Sequence, residues 1–228
     1  MGTTIEFPTA SGAKASGYLA TGPAGAPGVI VIQEWWGVVP QIEATCDRFA
    51  AAGFAALAPD LYDGTKVPVT EPDAAAAAMM DMKVADAAAD LSGAVDELAA
   101  RTGRAAVGVI GYCMGGGLAV MLAARRPDAV AAVIPCYGVH PWAEGQPDYK
   151  KIAAATQIHC AALDGSFPPS AAESLAARLR SLGKEAELYV YDDVDHAFAN
   201  DDRPEVYNAG AAALLFERAT AFLDTHLR

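Results

Sequence analysis

The sequence predicts an α/β fold, a single domain over residues 1–228 with a mostly parallel sheet of about eight strands flanked by helices. Three observations predict it. Short runs rich in Val, Ile and Ala alternate with long helical patterns, as happens when both faces of a parallel sheet are covered. The composition is 53% hydrophobic and 19% charged, which forms a core and does not suit a disordered chain. At 228 residues one substantial core can form without crosslinks or metals.

The elements follow in chain order. Residues 5–7 and 16–20 offer an antiparallel edge hairpin. The clearest buried strands are 28–33, 54–59, 106–111 and 130–135, each a short Val/Ile/Ala run. Residues 157–163 and 187–191 continue the series. Between them the helical patterns cover 42–52, 74–100, 116–125, 170–182 and 206–227. Gly53 and Gly183 stand where helix ends want a left-handed residue. The Ala-rich stretch 73–90 reads as helix because Ala is the best helix former. Residues 61–72, with Gly64, Pro68 and Pro72, are the longest loop, and long loops often line sites.

Charge and cysteine usage narrow the function. A net charge of −12 with no basic stretch repels polyanions and excludes nucleic acid as a partner. No apolar run reaches bilayer length, and residues 1–8 have neither a basic flank nor an apolar core. No membrane partner and a cytoplasmic address are therefore expected. Cys46, Cys113, Cys136 and Cys160 contain no C-x-x-C pair, which argues against a zinc knuckle and a thioredoxin-type motif. No metal or organic cofactor is implied. The expected state is a monomer or weak homo-oligomer.

The strongest motif is Gly111-Tyr112-Cys113-Met114-Gly115-Gly116-Gly117, directly after a buried strand and before a helical pattern. Its form is G-x-C-x-G, a nucleophile on a sharp strand-to-helix turn that closes only between small residues. The helix dipole there favours thiolate and a developing oxyanion, so the Met114 backbone N–H is one candidate oxyanion donor. Read alone, Cys113 fits equally well as a buried small hydrophobe. The G-x-G-x-x-G dinucleotide reading fails, because Tyr112 and Cys113 follow Gly111, and no Walker loop is present.

A nucleophile elbow of this kind is followed along the chain by an acid and then a histidine, each in a loop after a late strand. Asp164 ends the run 159–163 and opens the turn 165–169. His196 follows the run 189–195 and precedes the C-terminal helix pattern. An imidazole at 196 can take the thiol proton and return it to a leaving group, with Asp164 fixing its tautomer. Asp164 can also be read as a turn or N-cap carboxylate. Asp193 and Asp195 rank below it, because loop neighbours seldom reach the far imidazole nitrogen. Of the remaining histidines, His159 reads as core and His226 as terminal turn, which leaves His140 as the competitor to His196.

With these pieces placed, the chain resembles the dienelactone hydrolase family, carboxymethylenebutenolidase-like enzymes of the α/β-hydrolase fold. The likeness runs from about Val29 to the C-terminus. Beside the elbow, it rests on Gln33-Glu34-Trp35-Trp36-Gly37, Ala58-Pro59-Asp60-Leu61-Tyr62, Tyr137-Gly138, Asp164 with Pro168, and His196-Ala197-Phe198. The resemblance implies a Cys113, His196, Asp164 triad that opens a small lactone or ester through a thioester. It implies that Glu34 helps form the thiolate and that the Trp35 N–H is the second oxyanion donor. Tyr137 and Phe198 join Glu34, Trp35 and Met114 as candidate substrate-binding positions. A surface carboxylate is the plainer alternative for Glu34.

The chain departs from the family pattern in two ways. Dienelactone hydrolases hold the substrate carboxylate with arginines, one after the position of Tyr62 and one four residues after the histidine. Here the latter is Asn200, and residues 49–100 contain no arginine. Ala197 stands where the best-known members carry a hydroxyl. Arg203 and Lys66 are substitute anion anchors on one reading and exposed salt-bridging residues on the other. The chemistry reads as kept and the substrate as changed. Two further functions therefore stay open: a broad carboxylesterase or thioesterase, and a non-catalytic ligand-binding or thiol-sensing protein on the same fold.

Overall fold

The computed structural model describes residues 1–9 and 11–228. Its elements are β1 (Thr3–Pro8), β2 (Lys14–Ala20), β3 (Gly28–Ile32), α1 (Pro40–Ala51), β4 (Ala55–Pro59), α2 (Pro72–Asp81), α3 (Val84–Thr102), β5 (Val107–Tyr112), α4 (Met114–Arg125), β6 (Val130–Cys136), β7 (Ala155–Ala161), α5 (Pro169–Ser181), β8 (Ala186–Tyr191) and α6 (Ala209–Leu227). They form one eight-stranded sheet in the order β1-β2-β4-β3-β5-β6-β7-β8. The β1–β2 and β2–β4 pairs are antiparallel, and every pair from β4–β3 to β7–β8 is parallel. This is the α/β-hydrolase arrangement that the sequence predicts.

The period of two in the central strands divides the core. Ile30 and Ile32 of β3 pack on the layer holding Leu91 and Leu98 of α3, Leu118 and Leu122 of α4 and Leu179 of α5. Val29 and Val31 pack on the other layer, with Ile42 and Phe49 of α1 and Leu215 and Phe222 of α6. All four β3 side chains are fully buried, which is why the strand reads as an unbroken apolar run. Gly53 and Gly183 take φ of +96° and +73° at the helix ends. No helix among the described residues is long and apolar enough to cross a membrane.

Most element ends shift by one or two residues from the expected ones, and three departures have an evident cause or consequence. The single helix expected over 74–100 is two, because the chain turns extended at Met82 (φ −61°, ψ 126°) and restarts behind Lys83. The last helix begins at Ala209, three residues later than expected, where the Asn208 side chain accepts a hydrogen bond from the Ala211 N–H. The strand expected over 157–163 ends at Ala161, and its last two residues turn toward Asp164. The loop over 61–72 is fastened to the body by the Val67 N–H, which donates to the Trp36 carbonyl at 2.9 Å.

Candidate active site

Parallel strands deliver their following loops to one edge of the sheet, where ligands of open α/β sheets bind. Here Glu34 follows β3, Cys113 follows β5, Tyr137 follows β6, Asp164 follows β7 and His196 follows β8. Backbone strain gathers at the same edge. Cys113, Tyr137 and Ala197 adopt φ of +54°, +39° and +65°, and non-glycine residues there persist only when their surroundings hold them.

Cys113 is the N-cap of α4, with φ 54° and ψ −121°. Its N–H donates to the Cys136 carbonyl at 3.1 Å, and its own carbonyl accepts from Gly116 and Val139 at 2.9 and 3.0 Å. The turn closes because a Cβ at Gly111 would strike the Gly115 carbonyl, and one at Gly115 would meet the Gln33 and Ile32 carbonyl oxygens at 2.5 Å. The motif's glycines are therefore sites of backbone contact between β3, β5 and α4. The Trp35 and Met114 N–H groups donate to no protein acceptor among the described residues.

His196 and Asp164 meet as expected. The His196 Nδ1 lies 2.7 Å from Asp164 Oδ2, while Asp164 Oδ1 accepts from the Ser166 and Phe167 N–H groups at 2.7 and 2.8 Å. The Asp164 side chain is fully buried. Burial alone would raise its carboxyl, but His196 and the two backbone donors overcome this and hold it below the ordinary value. Burial likewise disfavours the imidazolium, yet Asp164 and Cys113 outweigh it and lift His196 to about 10. Asp195 does not compete, because its carboxylate accepts the His196 backbone N–H at 2.6 Å. His140 bonds the Glu144 carbonyl through Nε2 at 3.1 Å, and its Nδ1 has no partner. It lacks the carboxylate that orients His196.

Glu34 is 2% exposed. Its Oε2 accepts from Asn200 Nδ2 at 2.7 Å and its Oε1 from the Tyr137 hydroxyl at 3.3 Å. Burial pushes its carboxyl up, against these two hydrogen bonds and the charges of His196 and Arg203. The Asn200 Oδ1 accepts the Asp202 N–H at 3.0 Å, so its amide is fixed with the NH₂ toward Glu34.

A cavity of about 850 Å³ opens beside these groups, and Glu34, Trp35, Cys113 and His196 all line it. Met114, Tyr137 and Phe198 do not. Met114 is fully buried, so its contribution is restricted to the backbone N–H. Tyr137 stands behind Glu34. Phe198 is fully buried, packed 5.5 Å from the Tyr137 ring and 4.9 Å from Tyr191; the expectation that it contacts substrate is corrected to core packing. Lys66 pairs with Glu43 at 2.6 Å, off the cavity wall, whereas Arg203 lines the cavity while pairing with Glu205 at 2.8 Å. Sequence reasoning missed Met79, His140's place on the wall, and Leu175 and Arg178 of α5. Only the 171, 174, 175, 178 spacing on α5 carried a signal, as one helical face.

The Dienelactone hydrolase family model matches residues 15–227. Protein usf of Aquifex pyrophilus is 34% identical over the full length of both chains. A candidate carboxymethylenebutenolidase of Aquifex aeolicus is 32% identical, again over 100% of each. The crystal structure of a candidate dienelactone hydrolase from Klebsiella pneumoniae superposes with a TM-score of 0.81 at 27% identity, covering 98% of this chain and 99% of that one. On the length of these matches and the architecture described above, the chain is a hydrolase that belongs to the dienelactone hydrolase family.

Proposed function

We propose that this hydrolase uses Cys113 as its nucleophile, with His196 and Asp164, to cleave a small lactone or ester through a thioester. The observation that carries the proposal is the strained Cys113 at the head of α4 facing a histidine whose Nδ1 is held by a buried carboxylate at 2.7 Å. The thiolate is the attacking form, and the His196 imidazolium balances its charge. Sulfur bonds to the carbonyl carbon, and the oxyanion is received by the Trp35 and Met114 N–H groups. The carbon–oxygen bond to the leaving group breaks, and that oxygen takes the proton from His196. A water then gives its proton to the neutral imidazole and attacks the thioester. The carbon–sulfur bond breaks, which restores thiolate and imidazolium. Glu34, held by Asn200 and Tyr137, lines the cavity beside Cys113 with its carboxyl pushed up by burial.

A broad carboxylesterase or thioesterase is the second reading, favoured by the 850 Å³ cavity and by Asn200 at the position of a family arginine. All four cysteines are unpaired, which fits a reducing compartment, and we place the enzyme in the cytoplasm. Iodoacetamide labelling across pH, with the modified residue located by mass spectrometry, tests the nucleophile. Activity should vanish in step with label on Cys113, and Cys113→Ala should be inactive but folded. His196→Ala should lose on the order of 10³-fold or more in kcat/KM. Hydrolysis that continues with Cys113 alkylated would overturn the assignment and leave the ligand-binding or thiol-sensing reading of the fold.

A further inference from the structure

The cavity is large, and one face of α5 runs along its wall. Ala171, Ser174, Leu175 and Arg178 line it at the i, i+3, i+4, i+7 spacing of a single helix face. The start of α5 is fastened to the reacting end, since the Phe167 N–H donates to Asp164 and Phe167 itself lines the wall. From Ala171 to Arg178 the face rises about 10 Å at 1.5 Å per residue, the reach of roughly eight extended carbon atoms. Met79, Val120, Val139, Phe167 and Leu175 make its walls apolar. A cavity of about 850 Å³ lies near the top of the range that encloses a drug-sized ligand, far more than a five-membered lactone fills. The wall at Met79 is also tied down, because Trp142 Nε1 donates to the Met79 carbonyl at 3.3 Å and ties α2 to the segment after β6.

We infer that the substrate is an ester whose acyl part is an extended apolar chain of about eight carbons, laid along α5 from Cys113 toward Arg178. The inference rests on the cysteine-hydrolase reading. The acyl part is the portion assigned to the cavity because it stays on sulfur through both steps, whereas the alcohol departs after the first. Arg178 is exposed and is the last residue of α5 on the cavity wall, so chains that pass it gain nothing further. Leu175 and Ala171 are then specificity-determining positions for chain length.

The test is a series of p-nitrophenyl esters from acetyl to dodecanoyl, beside a series of alkyl acetates. In the acyl series kcat/KM should rise by about fourfold per added methylene up to octanoyl, the value of one buried CH₂, and then level off. Ala171→Trp, and independently Ser174→Trp at an exposed position of α5, should lower the octanoyl-to-acetyl ratio of kcat/KM tenfold or more. A flat or falling acyl series, or a rise only in the alkyl series, would overturn the inference. Calorimetry of octanoate on Cys113→Ala protein separates this failure from the other. Octanoate that binds more tightly than butyrate, where the wild-type protein turns over no ester of either series, supports the chain-length reading and removes the hydrolase reading. Equal binding of the two acids would sink the chain-length reading.

Discussion

The ion pair between Asp164 and His196 governs how the site responds to pH. A histidine held at about 10, against an ordinary 6.5, stabilises the fold fully below pH 6.5, and that contribution is lost as the pH rises through about 10. Asp164, held below its ordinary 3.8, acts in the opposite sense: its contribution is present above that value and lost as acid protonates it. The pair therefore supports the fold best from mildly acidic to neutral pH. Asp164→Asn should return the His196 titration toward 6.5 and lower kcat/KM by on the order of 10⁴. An NMR titration of the imidazole protons checks the first part, and an unchanged midpoint would show that Asp164 is not the partner that matters. At this scale the meeting of the candidate residues was legible, because Cys113, Asp164 and His196 each close a strand-like run at the right chain order. Asn200 was legible only as a missing arginine. Its hydrogen bond to Glu34 spans 166 residues of chain, and no local pattern records such a contact. Phe198 misled for the same reason, since its place beside His196 in sequence says nothing about which way its ring points.

At the scale of elements, the joint between α2 and α3 shows the limit of composition. Neither Gly nor Pro marks Met82 and Lys83, and the surrounding Ala residues favour helix throughout, so the sequence reads as one rod. Tertiary packing breaks it: α3 buries Ala87, Leu91, Ala94 and Leu98 against the core, while α2 buries only Ala75. The new helix start lacks a side-chain cap at Lys83. Lys83→Ser should therefore raise stability by about 0.5–1 kcal/mol, read as a higher urea midpoint at unchanged slope; no gain would mean that the joint is held by packing alone. The β3 and β5 strands, by contrast, were legible because both faces are covered and every residue is apolar or glycine. The late start of α6 was not, because the turns over residues 200–207 are polar and Val206 fits a helical face on paper.

Across the whole molecule, the groups of the proposed triad are spread unevenly. Cys113 follows β5, in the middle of the sheet, while His196 follows β8, which pairs only with β7. The side chains of β8 are mostly half-buried, and Val190 is 39% exposed. Edge elements of this kind open at lower free energy than a central strand. On heating, ester hydrolysis should fall several degrees before the circular-dichroism transition; coincident midpoints would show that β8 unfolds with the core. The sheet's layout has a different consequence for descent with modification. The proposed nucleophile, acid and base stand on three separate loops, and much of the pocket wall comes from α5 and from the segment after β6. Insertions or substitutions in those walls can redraw the range of accepted molecules while the reacting atoms stay in register, so lineages carrying this scaffold are free to change diet without relearning the reaction.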